Sequence, residues 1–139
     1  MASPYRLDHL AVHVSDMEAS VAFYSGLLGL PEIENPMGNA SVRWLAIDAG
    51  HALHLLPGGE KAVRTIQTHL ALAAADFDAT VARLTAAGAA FGELPSRPGK
   101  VSQRRDGVRQ SFVCDPDGYW VEINDATPRS KNLSENAPS

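Results

Sequence analysis

The sequence predicts an α+β fold: two βαβββ modules whose strands form a cupped, partly closed eight-stranded sheet, with the helices outside. Three observations carry this expectation. A fourteen-residue segment opening on His9 recurs sixty positions later at His69, with seven identical positions, and an internal repeat sets the architecture before any single element is assigned. In each copy a two-residue apolar period gives way to a helical one. Each copy is then followed by short apolar runs broken by Gly, Pro, Asp and Asn.

In the first module, about residues 5–56, Leu10, Val12 and Val14 alternate with His9, Ala11 and His13, as in a strand with one apolar face. Ser15-Asp-Met-Glu18 matches a capping box, and Met17, Val21, Tyr24 and Leu28 follow at helical spacing until Gly29 stops the helix. Residues 31–34, 41–47 and 51–56 read as three short strands. The second module, about residues 67–124, repeats the order. Leu70, Leu72 and Ala74 mark the strand, and Asp76 is the N-cap. Phe77, Val81 and Leu84 line the helix, which ends at Gly88. A short strand near 89–93 precedes a loop to about 109. Residues 110–114 and 119–124 then form a hairpin around Asp115-Pro-Asp-Gly118, where Pro presets one dihedral, Asp bonds its own backbone and Gly takes the unusual conformation. Residues 125–139 are polar and read as a mobile tail.

The 139 residues suit a single domain. A formal charge of −4 argues against nucleic acid as partner, and no apolar run is long enough for a bilayer span. One cysteine, Cys114, excludes an internal disulfide and a thiolate-rich metal site. With no signal-like apolar stretch at the start, the expected location is cytoplasmic.

The repeat histidines lie opposite the helix-packing residues, on the face expected to be concave. Alternation puts His54 on that face in the last strand of module one, and Trp120 and Glu122 there in the last strand of module two. His54 and Glu122 each stand four residues after a turn glycine, Gly50 and Gly118. Three imidazoles and a carboxylate at paired positions suit Zn, Ni, Co, Mn or Fe rather than Ca. Such a site carries a net charge of about +1 and would stabilise an oxyanion forming on a substrate carbonyl. His13 is expected to line the pocket. Trp120 is either a pocket wall or a core residue. Arg97, Lys100, Arg104, Arg105 and Arg109 cluster in and around the long loop, which is either solvated or an anion clamp, with Arg109 taken as substrate-binding.

Two segments, Leu7-Asp-His-Leu-Ala-Val-His-Val-Ser-Asp-Met-Glu-Ala-Ser-Val-Ala-Phe-Tyr24 with Leu28-Gly29-Leu30, and Phe112-Val-Cys-Asp-Pro-Asp-Gly-Tyr-Trp-Val-Glu122, resemble the vicinal-oxygen-chelate superfamily. This group includes glyoxalase I, extradiol dioxygenases, fosfomycin-resistance proteins, methylmalonyl-CoA epimerase and bleomycin-resistance proteins. The resemblance implies a metal in the cupped sheet, held at His9, His54, His69 and Glu122, and dimers that complete or share the cup. It departs from glyoxalase I at His54, where that enzyme has glutamate, and at His13, where it has a basic residue. Epimerases have an amide at the His54 position, and the fosfomycin enzymes a hydroxyl near Ala11. His9, His69 and Glu122 match the two-His, one-carboxylate set of extradiol dioxygenases. The expectation is a homodimeric metal-dependent enzyme with lyase or isomerase chemistry on a small vicinal-oxygen substrate. Glu122 would serve as ligand and transient base. Fe(II) dioxygenation is one alternative, and drug or metabolite sequestration without turnover is the other.

Overall fold

The computed structural model describes residues 3–93 and 97–127. The expected mobile tail therefore lies outside the described residues from 128 onward. Module one holds β1 (His9–Val14), α1 (Met17–Val21), a π-helical turn (Ala22–Leu27), β2 (Glu32–Ile33), β3 (Arg43–Ala46) and β4 (Ala52–Pro57). Module two holds β5 (His69–Ala73), α2 (Phe77–Ala86), β6 (Phe91–Glu93), β7 (Arg97–Pro98), β8 (Ser102–Gln103), β9 (Arg109–Cys114) and β10 (Trp120–Asn124). The α+β class and the doubled βαβββ order stand. Within the chain the strands form two separate sheets, β1-β4-β3-β2 and β5-β10-β9-β6-β7, with β8 added on β9. The long segment before β9, read as loop, contributes the two-residue strands β7 and β8. No helix among the described residues is long and apolar enough to cross a membrane.

The repeat in sequence is a repeat in register. β1 and β4 pair in parallel with Ala11 opposite His54, and β5 and β10 pair in parallel with Ala71 opposite Glu122. His54 and Glu122 are thus equivalent positions. The face opposite the histidines is the buried one: Val14, Leu45, Leu53, Leu55 and Val121 are fully buried against Phe23, Tyr24, Phe77 and Leu84. Burying such side chains stabilises by about 1.5–3 kcal/mol each, which drives the helices onto that face and leaves the other open.

Both helices start on an aspartate. Asp76 accepts from Ala79 N at 2.9 Å, as expected. In module one the cap is Asp16, which accepts from Ala19 N at 3.1 Å, and not Ser15. The amide of Ser15 is drawn instead to both carboxylate oxygens of Asp117, 3.1 Å away and 102 residues on.

That contact belongs to a buried joint between the modules. Asp115 Oδ1 accepts from Asp117 N and Tyr119 N, at 2.9 and 2.8 Å, and closes the Asp-Pro-Asp-Gly turn. Its Oδ2 accepts from the Tyr24 hydroxyl at 2.8 Å. Burial pushes the Asp115 carboxyl above its usual range, and burial beside Asp115 raises the Tyr24 phenol. Tyr24→Phe leaves Asp115 Oδ2 without its donor. It should cost about 1–3 kcal/mol of stability, read by urea denaturation; an unchanged midpoint would show the joint to be energetically idle.

Candidate metal centre

The register places a diagonal pair on the helix-free face of each module. In module two His69 reaches across β10 to Glu122, with Nε2 to Oε2 at 3.0 Å. Glu122 is 8% exposed, and its Oε1 accepts from Asn124 Nδ2 at 2.9 Å. His69 Nδ1 lies 2.8 Å from the Ile66 carbonyl. A carbonyl only accepts, so Nδ1 carries the proton. A neutral His69 then turns an Nε2 lone pair toward a carboxylate oxygen. That repulsive approach is relieved by a cation shared between them or by an imidazolium. A far nitrogen tied to an acceptor orients an imidazole as the outer partners of metal-ligating histidines do, and an imidazolium paired with Glu122 has the same geometry. Phe112 packs edge-on to the ring at 5.2 Å.

Module one presents the equivalent pair, His9 and His54. The Asp8 carboxylate, 2.8 Å away, holds the proton on His9 Nδ1 and leaves Nε2 bare. The hydrogen bond from His9 holds Asp8 below its usual carboxylate range. His54, expected as a fourth ligand, lies beside His9 on the same face. It is the middle ring of a stack, with His9 on one side at 4.2 Å and 12° and Trp44 on the other at 3.9 Å and 11°. Imidazole lone pairs lie in the ring plane. Two nearly parallel planes at that spacing do not converge on one ion, so His54 and His9 are not co-ligands as they stand. Desolvation, then the neighbouring His9, lowers the His54 pKa and keeps the ring neutral at pH 7. These rings line a depression of about 240 Å³ with Asp8, Ile33 and Gly50.

Within one chain the two pairs do not merge: no three His, Cys, Asp or Glu side chains among the described residues are grouped to hold a metal. His69 and Glu122 are together, His9 and His54 are together, and each pair lies on its own sheet.

The other expected site residues divide. Trp120 stands on the Glu122 face, opposite His69 in register, with its indole N–H donating to Arg64 O at 3.0 Å. His13 shares the His9 face, and its Nε2 lies 3.1 Å from Pro57 O, to which it donates. Arg109, expected to bind substrate, is turned away. It shares strand parity with Ser111 and Val113, which are buried on the helix side. Its guanidinium is held by Asp125 at 2.8 Å and Asp78 at 2.9 Å, over the Phe77 ring. The arginine that does approach the site is Arg104, 3.8 Å from Glu122 Oε1. Trp44, Phe112 and Asn124 are not singled out by the sequence, and Arg104 appears there only as one of five basic residues in and around the long loop. Strand parity marks Trp44 and Phe112, but nothing in the sequence marks where the Arg104 loop folds.

The Glyoxalase/Bleomycin resistance protein/Dioxygenase superfamily model matches residues 6–123. Among solved structures the chain is similar to Oxidase ChaP-H2, with 26% identity, TM-score 0.73, and coverage of 91% of this chain and 98% of that one. It is similar to Oxidase ChaP-H1 at 27% identity and TM-score 0.69, covering 88% and 97%. It also resembles a glyoxalase/dioxygenase from Nostoc punctiforme at 25% identity and TM-score 0.66, covering 89% and 94%. No curated protein matches the chain.

Proposed function

Because the chain belongs to the Glyoxalase/Bleomycin resistance protein/Dioxygenase superfamily, we propose that it is a metal-dependent enzyme acting on a small substrate through two vicinal oxygens. In this proposal His69 and Glu122 of one copy and His9 of a second copy hold the ion. The observation that carries the proposal is the His69–Glu122 pair, 3.0 Å apart with His69 Nδ1 already donating to Ile66.

The dimer is supported by the edges. β1 and β5 each stand at the end of their sheet, and an open strand edge is a pairing surface. His9, Ala11, His13, His69, Ala71 and Ala73 are exposed along those two edges. A groove of about 730 Å³, walled by Leu7, Leu30, Leu70 and Leu72 among others, runs along β5. A two-fold pairing of β1 with the β5 of a second copy would bring the half-sites together twice.

A bound divalent ion would polarise a chelated substrate oxygen and, as Fe(II) in a two-His, one-carboxylate set, would support oxygen chemistry. The chain's own residues supply the rest. Asn124 holds one oxygen of Glu122 and so aims the other. Asp8 and the Ile66 carbonyl fix the tautomers of His9 and His69. Trp44, Phe112 and Trp120 would wall the substrate. The similarity to two proteins named as oxidases favours oxidation as the reaction. A lyase or isomerase passing through an enolate-like intermediate is the second reading. The position of His54 beside His9 supports it, because an imidazole there could exchange a proton with a substrate carbon held at the site.

Metal analysis with oxygen-uptake measurement separates these readings. Purified protein should hold about one divalent ion per chain. Iron with catechol-dependent oxygen uptake supports oxidation, and Zn, Ni, Co or Mn without uptake supports the lyase or isomerase. Metal-free protein that still binds an aromatic ligand would contradict both and leave sequestration.

A further inference from the structure

We propose that Arg104 forms an anion subsite beside the candidate metal ligands, so that the substrate carries a carboxylate next to its chelating oxygens. The inference rests on the metal-site reading of His69 and Glu122.

The loop that carries Arg104 is built to hold it still. Strands β8 and β9 pair at Ser102–Gln110 and Gln103–Arg109. The turn between them is closed by Arg104 N to Val108 O at 2.8 Å and by Gly107 N to Arg104 O at 3.0 Å. The guanidinium is clamped by the Asp106 carboxylate, with Nε at 3.2 Å and Nη2 at 2.6 Å. This fork uses one side of the guanidinium and fixes the direction of the third nitrogen. That nitrogen, Nη1, points toward Glu122 and stops 3.8 Å from its Oε1, beyond hydrogen-bond length. The Glu122 oxygens are already engaged, by Asn124 and by His69. Among the described residues the Nη1 protons have no acceptor at bonding distance, and the side chain is 31% exposed at the rim of the site.

The charges point to an acid. A divalent ion with one carboxylate ligand would carry about +1, beside the charge of Arg104, which Asp106 partly offsets. A substrate carboxylate would neutralise the excess, with an outer oxygen on Nη1. Because Asp106 has already ordered the guanidinium, little further rotamer freedom is lost on binding. Arg109, Arg64 and Arg83 offer no such group there: the first is spent on Asp125 and Asp78, the second on Tyr119, and the third on the Leu28 carbonyl.

The test is calorimetry on Co(II)-loaded wild type, Arg104→Gln and Arg104→Lys, with oxalate and catechol as probes. Both chelate through vicinal oxygens, but only oxalate keeps outer carboxylate oxygens. Arg104→Gln should weaken oxalate by at least about tenfold, leave catechol within about twofold, and leave Co(II) stoichiometry unchanged. Arg104→Lys should recover part of the oxalate affinity. Unchanged oxalate affinity in a Co(II)-loaded Arg104→Gln protein would overturn the subsite and leave the metal site standing, as would equal weakening of both probes. Wild type that takes up no Co(II) would overturn the metal site and the subsite together.

Discussion

Glu122→Gln will bind its divalent ion at least about 100-fold more weakly than the wild type and will lose activity with it, while its melting temperature stays close to that of the wild-type apoprotein. The two outcomes separate for a physical reason. Glutamine keeps the size of Glu122, and its amide oxygen can still accept from Asn124 Nδ2, now 2.9 Å from Oε1. Its amide N–H can donate to the bare Nε2 of His69, so no buried polar atom is stranded. Only the charge is lost, together with a carboxylate lone pair. His69→Ala should lose the ion as well, since it removes the nitrogen whose tautomer Ile66 fixes. Titration calorimetry beside thermal melting reads both quantities. Glu122→Gln that keeps wild-type metal affinity would remove the carboxylate from the site.

The second large effect lies in the turn that joins the modules. Gly118 has φ +91°, and a Cβ there would sit inside the van der Waals contact of the Ala62 carbonyl oxygen, which is itself fixed because Ala62 N donates to Asp117 O at 3.1 Å. Gly118→Ala combines left-handed strain with a backbone clash and should cost roughly 3 kcal/mol or more. Gly107→Ala is the control: its φ is +88°, but nothing lies within 4 Å of the added carbon, so strain alone should cost about 1–2 kcal/mol. The difference in urea midpoint isolates the clash. Equal costs would show that the linker yields and that the turn does not hold the modules. The same turn carries Asp115 and Asp117, so its loosening also frees Tyr24 and Ser15 at the end of β1.

Much of this was legible where one local rule decides the outcome. The two-residue period exposes His9 and His69 and buries Val12, Val14 and Val121. The turn spacing paired His54 with Glu122, which β4 and β10 bear out in register. Asp76 caps the second helix from its place just before the helical period. Legibility failed where a distant partner intervened. The capping role expected of Ser15 falls to its neighbour Asp16, while the Ser15 amide is taken by an aspartate more than a hundred positions away. Arg109 and Arg104 look alike in a basic stretch. Strand parity sends the first to the helix side, and a turn with no periodicity sends the second to Glu122. The His9–His54–Trp44 stack needs the β3–β4 register, in which Trp44 lies opposite His54, and sequence alone does not supply that register. The repeat also makes His9 and His69 equivalent without saying whether they share one centre, which the proposed function places between two copies.

Complementation tests that last point. His9→Ala and Glu122→Ala chains, co-expressed with different affinity tags and isolated as heterodimers, carry one site with both defects and one with neither. Each homodimeric variant should be metal-free and inactive, and the heterodimer should regain about half the wild-type metal and activity. A heterodimer as empty as its parents, beside a wild type that binds its ion, would contradict a centre shared between two copies.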